Sequence, residues 1–156
     1  MIQFALPLAL HALAAVLWIG GMAFAYGILR PAAGVALEVP QRLALWRGVF
    51  ARFFPTVWVA VAILLITGYL MVFTRFAGFA ASPPYIHAMH ALGLAMTALF
   101  AHVFFAPWRR FRTAVDTGDH QRGAAELARI RRLVAINLGL GILIVVVGAS
   151  GRLWPI

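Results

Sequence analysis

The sequence contains no cysteine and no lysine, and only 4 of its 156 residues are acidic. The absence of cysteine excludes disulfides, thiolate metal sites and thiol catalysis. The few carboxylates all lie between apolar stretches, so the paired acids of soluble hydrolases are also missing. Charged residues make up 11% of the chain, whereas a soluble domain has about 25%. A soluble globular fold is therefore not expected.

Long apolar runs dominate the chain instead. Hydrophobic residues occupy 64% of positions and the mean hydropathy is +0.95. Four stretches, residues 2–29, 53–73, 85–108 and 133–150, reach or approach the roughly 20 helical residues that cross a bilayer. They show no alternation of apolar and polar residues, which favours helices over a barrel. The sequence predicts one all-α domain, residues 1–156, that forms an integral membrane four-helix bundle in contact with lipid.

The first apolar stretch has one feature of a signal peptide. Ala23-Phe24-Ala25 has the small-x-small form of a cleavage site. The stretch lacks a positively charged start and its apolar run is longer than that of a signal peptide. We therefore expect it to remain as a membrane helix.

The arginines are distributed unequally between the two sides. Eleven of the 13 lie between stretches one and two or between stretches three and four, and only Arg75 and Arg152 lie on the other side. Positive loops stay in the cytoplasm, so both termini are predicted to be periplasmic in a bacterial inner membrane. Nucleic acid is not an expected partner, because the arginines flank apolar runs. The basic segment 111–132 is expected to lie on lipid headgroups, and Trp46 and Trp108 to anchor helices at the interface.

Four of the five histidines, His11, His87, His90 and His102, fall inside the predicted spans. Ionisable side chains in lipid usually mark a ligand, a cofactor or a pathway. At 100° per residue, the three histidines of the third span share one face, which we expect to point inward. His11 would lie about 13 Å below the outer surface, and His87 and His90 about 5 Å and 9 Å below it.

Two imidazoles from different helices at similar depth are what six-coordinate haem b requires. The predicted ligands are His11 and either His87 or His90, with Arg75 as a counter-ion for a propionate. This first hypothesis is a haem b protein that serves electron transfer or a haem-linked oxidation, with a quinone or another redox partner. No catalytic residue follows from it.

Copper is the alternative ligand for the same imidazoles. His11, His87 and His90 with Met22 or Met96 offer nitrogen and thioether donors that suit copper, as in a copper transport or resistance protein. A third hypothesis is a scaffold whose histidines only bond neighbouring helices. The spacing of the residues does not choose among these.

The run from His11 through Trp18 to Gly21, followed by Ile28-Leu29-Arg30-Pro31, resembles the first helix of the copper-resistance protein D superfamily. The run Leu64-Leu65-Ile66-Thr67-Gly68 is similar to its next helix. His11 and Trp18, seven residues apart, fall on one helix face, so Trp18 is a candidate packing partner at the cofactor.

The run from Tyr85 to Met89 in the third span resembles the bacterial membrane protoporphyrinogen oxidases. That resemblance implies haem b held by His11 and His87, whereas matched depth favours His11 and His90. Small-residue faces on the helices also make a homodimer a candidate assembly.

Overall fold

The computed structural model describes residues 2–154, and within that range it contains helices and no strand. Six α-helices follow one another along the chain: α1 (Ile2–Phe24), α2 (Arg30–Ala36), α3 (Val39–Arg75), α4 (Pro84–Phe105), α5 (Pro107–Asp116) and α6 (His120–Ser150). A π-helical turn, Ala25–Leu29, joins α1 to α2, and short 3-10 turns occupy Phe79–Ala81 and Gly151–Leu153.

Four helical segments are long and apolar enough to cross a membrane, which confirms the predicted multi-pass bundle. They are Ala5–Ala36, Val39–Arg75, Pro84–Asp116 and His120–Ser150. Three of them extend well beyond the predicted spans, because hydropathy detects only the part of a helix that lies in hydrocarbon. Leu13, Val16 and Ile66 are each at least 65% exposed, as expected for side chains that face lipid.

The bundle pairs α1 with α3 and α4 with α6, while α5 folds back onto α6. Successive long helices run in opposite directions, so the molecule has two distinct ends. The terminal end contains the start of α1, the turn 76–83 between α3 and α4, and the end of α6. The arginine-rich end contains α2, α5 and the first turns of α3 and α6.

An aromatic cluster fills the core nearest the arginine-rich end. Its members come from α3, α4 and α5 and pack mostly edge to face or tilted: Trp46, Phe50, Phe54, Trp58, Phe100, Phe104, Trp108 and Phe111. The four members on α3 recur every four residues, which aligns them along one helix face. The prediction that Trp46 and Trp108 anchor helices at the interface is wrong, since they are only 3% and 5% exposed. Contact with other rings stabilises them in the core instead.

The basic segment 111–132 packs one side on the bundle, and its contact with lipid headgroups stays a prediction. Helix α5 turns Trp108, Phe111 and Ala114 into the core. The buried carboxylate of Glu126, on α6, accepts hydrogen bonds or ion pairs from Arg110 at 3.2 Å and Arg129 at 3.0 Å. The apolar side of this segment therefore contacts protein, and its arginines other than half-buried Arg131 are exposed.

We expect Phe54→Ala to lower the free energy of unfolding by about 3 kcal/mol or more, because it leaves a cavity among packed rings. Phe54 is 2% exposed and stacks on Phe50 at a centroid distance of 5.0 Å. Unfolding in detergent, followed by circular dichroism, measures the loss. The matched control is Phe73→Ala, since Phe73 is 62% exposed. Equal destabilisation by the two variants would contradict the role of the aromatic cluster.

Candidate functional site

His11 lies on the face of α1 that packs against α3. The same face carries Ala14, Trp18 and Met22, all buried, at the spacing of successive helical turns. The His11 ring is half-buried, and its Nδ1 atom lies 2.8 Å from the hydroxyl oxygen of Thr67 on α3. Gly68 lies beside the ring, and a Cβ atom at that position would be 3.4 Å from it, an ordinary van der Waals contact.

The hydrogen bonds of Thr67 determine which nitrogen of His11 carries the proton. The Thr67 hydroxyl donates its only hydrogen to the carbonyl oxygen of Ile63, at 2.6 Å. With that hydrogen donated, the oxygen is left to accept from His11, which assigns the proton of the neutral ring to Nδ1. The lone pair of Nε2 is left available as a ligand. A hydrogen bond that fixes the orientation of a ligating histidine is typical of protein metal sites.

His90, on α4, has a different partner on α3. Its Nε2 atom lies 3.0 Å from the hydroxyl oxygen of Tyr69. The Phe79 ring, from the turn between α3 and α4, lies 4.7 Å from the His90 ring and 5.9 Å from the His87 ring, centroid to centroid. Gly78, with a φ of 108° that disfavours any residue with a Cβ, begins the turn that places Phe79 there. The Nδ1 atom of His90 takes no part in the contact with Tyr69.

Two other histidines of the predicted spans and the predicted counter-ion lie at the surface. His87 and His102 are exposed on α4, and Arg75 is exposed in the last turn of α3. The expectation that the histidine face of α4 points inward is wrong for His87 and His102, whereas His90 is half-buried beside Tyr69 of α3. The buried residues of that helix are Met96, Phe100 and Val103, whose face lies about 180° from the middle of the histidine face at 100° per residue.

The structure does not bring His11 and His90 to a common partner. Thr67 and Tyr69 are two residues apart on α3, so their side chains leave that helix about 200° apart. The two imidazoles consequently contact different faces of α3. Among the described residues, no group of three or more His, Cys, Asp or Glu side chains is positioned to hold one metal ion.

Trp18 lies deeper in the bundle than His11 and is 3% exposed. Its ring packs edge to face on Phe100 of α4, at 5.9 Å between centroids. Beside it lies a cavity of about 20 Å³, also lined by Met22 and Asn137. The Oδ1 atom of Asn137 has no hydrogen-bond partner in the structure. A space of this size holds about one water molecule.

The family assignment comes from a match between a family model and the segment that carries most of these features. The model of the copper resistance protein D family matches residues 47–150, which make up two thirds of the chain. The chain belongs to this family. No curated protein and no solved structure matches it.

The protein is thus a copper-resistance-related membrane protein. The matched segment includes Thr67, His87 and His90, and it begins after the first helix. His11 and Trp18 lie outside it, so their assignment depends on the geometry described above.

Two partners of the histidines, Thr67 and Tyr69, were not predicted as site residues. The signal for Thr67 was present in the sequence, as a hydroxyl in the middle of an apolar span followed at once by Gly68. The sequence could not show which helix that hydroxyl faces, because side chains from two distant segments form the pair.

We expect Thr67→Val to abolish the preference of His11 for protonation at Nδ1, since the variant keeps the shape of the side chain and removes the acceptor. Nitrogen NMR of ¹⁵N-histidine-labelled protein at about pH 8, where a neutral imidazole predominates, reports the tautomer. The control is Thr74→Val on the same helix, because Thr74 bonds only the carbonyl oxygen of Leu70. A wild-type His11 protonated at Nε2 would contradict the assignment.

Proposed function

We propose that this chain binds copper within the terminal half of the bundle and passes it on as a copper transport or resistance protein of the bacterial inner membrane. The observation that carries the proposal is the half-buried His11 imidazole, which Thr67 orients through Nδ1 so that Nε2 is free to bind. Family membership supports the choice of copper as the cargo.

The donor types at this end suit copper. Neutral imidazole binds both copper oxidation states, and thioether sulfur favours Cu(I). His87 and His90, three residues apart on α4, form a second donor pair on the other side of α3, and the Tyr69 hydroxyl orients one of them. In this proposal, His11 is the inner site, and the pair formed by exposed His87 and half-buried His90 is the group that copper meets first from the terminal end.

The path beyond His11 follows the inward face of α1 toward Met22. Eleven residues separate the two side chains, about 16 Å at 1.5 Å per residue, and they lie within about 20° of each other around the helix. Trp18 lies between them and packs on Phe100. The proposed path is closed in this structure, so transport requires the Trp18 ring to move aside.

We expect His11→Ala to weaken Cu(I) binding by about 100-fold. Loss of a residue that merely orients a metal ligand typically costs about 10-fold to 100-fold, and His11 would be the ligand itself. Competition against a chromophoric Cu(I) chelator, with the detergent-purified chain, measures the affinity.

The matched controls are His102→Ala and His120→Ala, which remove exposed histidines outside the proposed site. Both should bind copper like the wild type. Equal copper affinity in wild type and His11→Ala would remove His11 from the site, and a wild type that binds no copper would end the proposal.

Haem b is the other function predicted from the sequence, and the described side chains do not support it. The cavity beside Trp18 is about 20 Å³, whereas sites for bound organic ligands span about 300 to 1,000 Å³. His11 and His90 also contact different faces of α3, so their nitrogens do not face a common iron. A quinone, a redox partner and a homodimer stay predictions.

An absorption spectrum of the purified chain separates the two functions. We expect no Soret band, because the imidazoles do not straddle a porphyrin site. A Soret band with reducible α and β bands, lost in His11→Ala, would favour the haem hypothesis over the copper proposal.

The orientation in the membrane is part of the same proposal. Eleven arginines near one end support a cytoplasmic arginine-rich end and periplasmic termini. Copper would then reach His11 from the periplasm. Alkaline phosphatase fused after residue 154 should be active, since that enzyme folds only outside the cytoplasm, and an inactive, stably expressed fusion would contradict the orientation.

A further inference from the structure

An open pocket of about 510 Å³ lies at the arginine-rich end, far along the helices from His11, His87 and His90. Its walls come from four elements: the π-helical turn, α2, the start of α3, and α6. The residues that line it are Tyr26, Arg30, Pro31, Gly34, Arg42 and Arg131. We propose that this pocket is a binding site for a phosphate-bearing anion, held by Arg30, Arg42 and Arg131 with help from the Tyr26 hydroxyl.

The pocket concentrates positive charge without a protein counter-ion. Three guanidinium groups converge on it, and in the described part of the chain no carboxylate lines its wall. Each of the four acidic side chains is engaged elsewhere: Glu38 caps α3, Asp116 pairs with Arg47, Asp119 caps α6, and Glu126 pairs with Arg110 and Arg129. An anion from outside the chain would relieve the repulsion among the three arginines.

Two of the arginines are already held in place. The Arg30 guanidinium lies over the Tyr26 ring, 4.9 Å from its centroid, a cation–π contact that limits its motion. Arg131 is half-buried, and its Nε atom is buried with no hydrogen-bond partner in the structure. A buried donor without a partner is costly, and phosphate oxygens have a geometry that a guanidinium matches.

The position of the pocket matches the level of lipid phosphates. Arg30 directly follows the first apolar stretch and Arg131 lies just before the last one, so both are at the boundary of the hydrocarbon. Basic pockets between transmembrane helices on the cytoplasmic side are known to bind anionic headgroups. A lipid headgroup and a soluble phosphate both carry the phosphate group that the site would bind. The experiment below distinguishes them.

The test uses the full chain in neutral detergent. Native mass spectrometry compares bound phosphatidylglycerol with bound phosphatidylcholine, and calorimetry titrates inorganic phosphate. We compare wild type with Arg131→Gln and Arg42→Gln, which remove charge from two separate helices, so that one variant remains informative if the other does not fold. The matched control is Arg132→Gln, which removes the same charge from the next residue, an exposed one.

We expect wild type and Arg132→Gln to bind alike, and each pocket variant to bind about tenfold more weakly, as for loss of one charged hydrogen-bond donor. Preference for phosphatidylglycerol without binding of inorganic phosphate identifies a lipid as the ligand, whereas binding of inorganic phosphate identifies a soluble one. Equal binding by all four proteins, or no binding of either probe, would overturn the proposal.

Discussion

Hydrocarbon offers no water to a polar side chain, so a hydroxyl or an imidazole inside the bundle must find its partner in the protein. The pair formed by His11 and Thr67 follows from that constraint. Thr67 donates to its own helix and accepts from the histidine, which leaves the opposite ring nitrogen free. The need for a partner within the protein makes such residues rare in lipid, and here it also orients His11 as a ligand. The copper proposal depends on that orientation.

The core of the bundle is packed differently at its two ends. Near the arginine-rich end the core is a continuous set of packed rings around Phe54, which leaves little free space. Toward the terminal end, hydroxyl–imidazole pairs join α3 to α1 and to α4. A neutral donor site therefore lies above a closed aromatic core, so passage of copper would depend on a movement of Trp18.

Most of the charge lies at the arginine-rich end and is used in three ways. Some arginines pair with the few carboxylates, as Arg47 does with Asp116 at 3.0 Å. Others are exposed beyond the hydrocarbon, where they favour one orientation of the chain. The remaining three converge on a pocket without an acidic residue in its described wall. With 13 arginines and 4 acids, the chain must take counter-ions from its surroundings, and the pocket is where three positive charges come together.

The sequence alone determined that four helices cross the membrane and which of their ends carry arginine. It also identified His11, His87 and His90 as candidate site residues near the terminal end. Each of these conclusions comes from the composition of one segment, because the free energy of transfer from water to lipid depends on local hydropathy. Only the tertiary structure decided which way each histidine faces. In a soluble helix the inward face is the apolar one, but lipid is as apolar as a protein core, so the faces of α4 carry no such distinction. His87 and His102 were therefore assigned inward and lie outward, while Thr67 and Tyr69 became partners only through contacts with other helices.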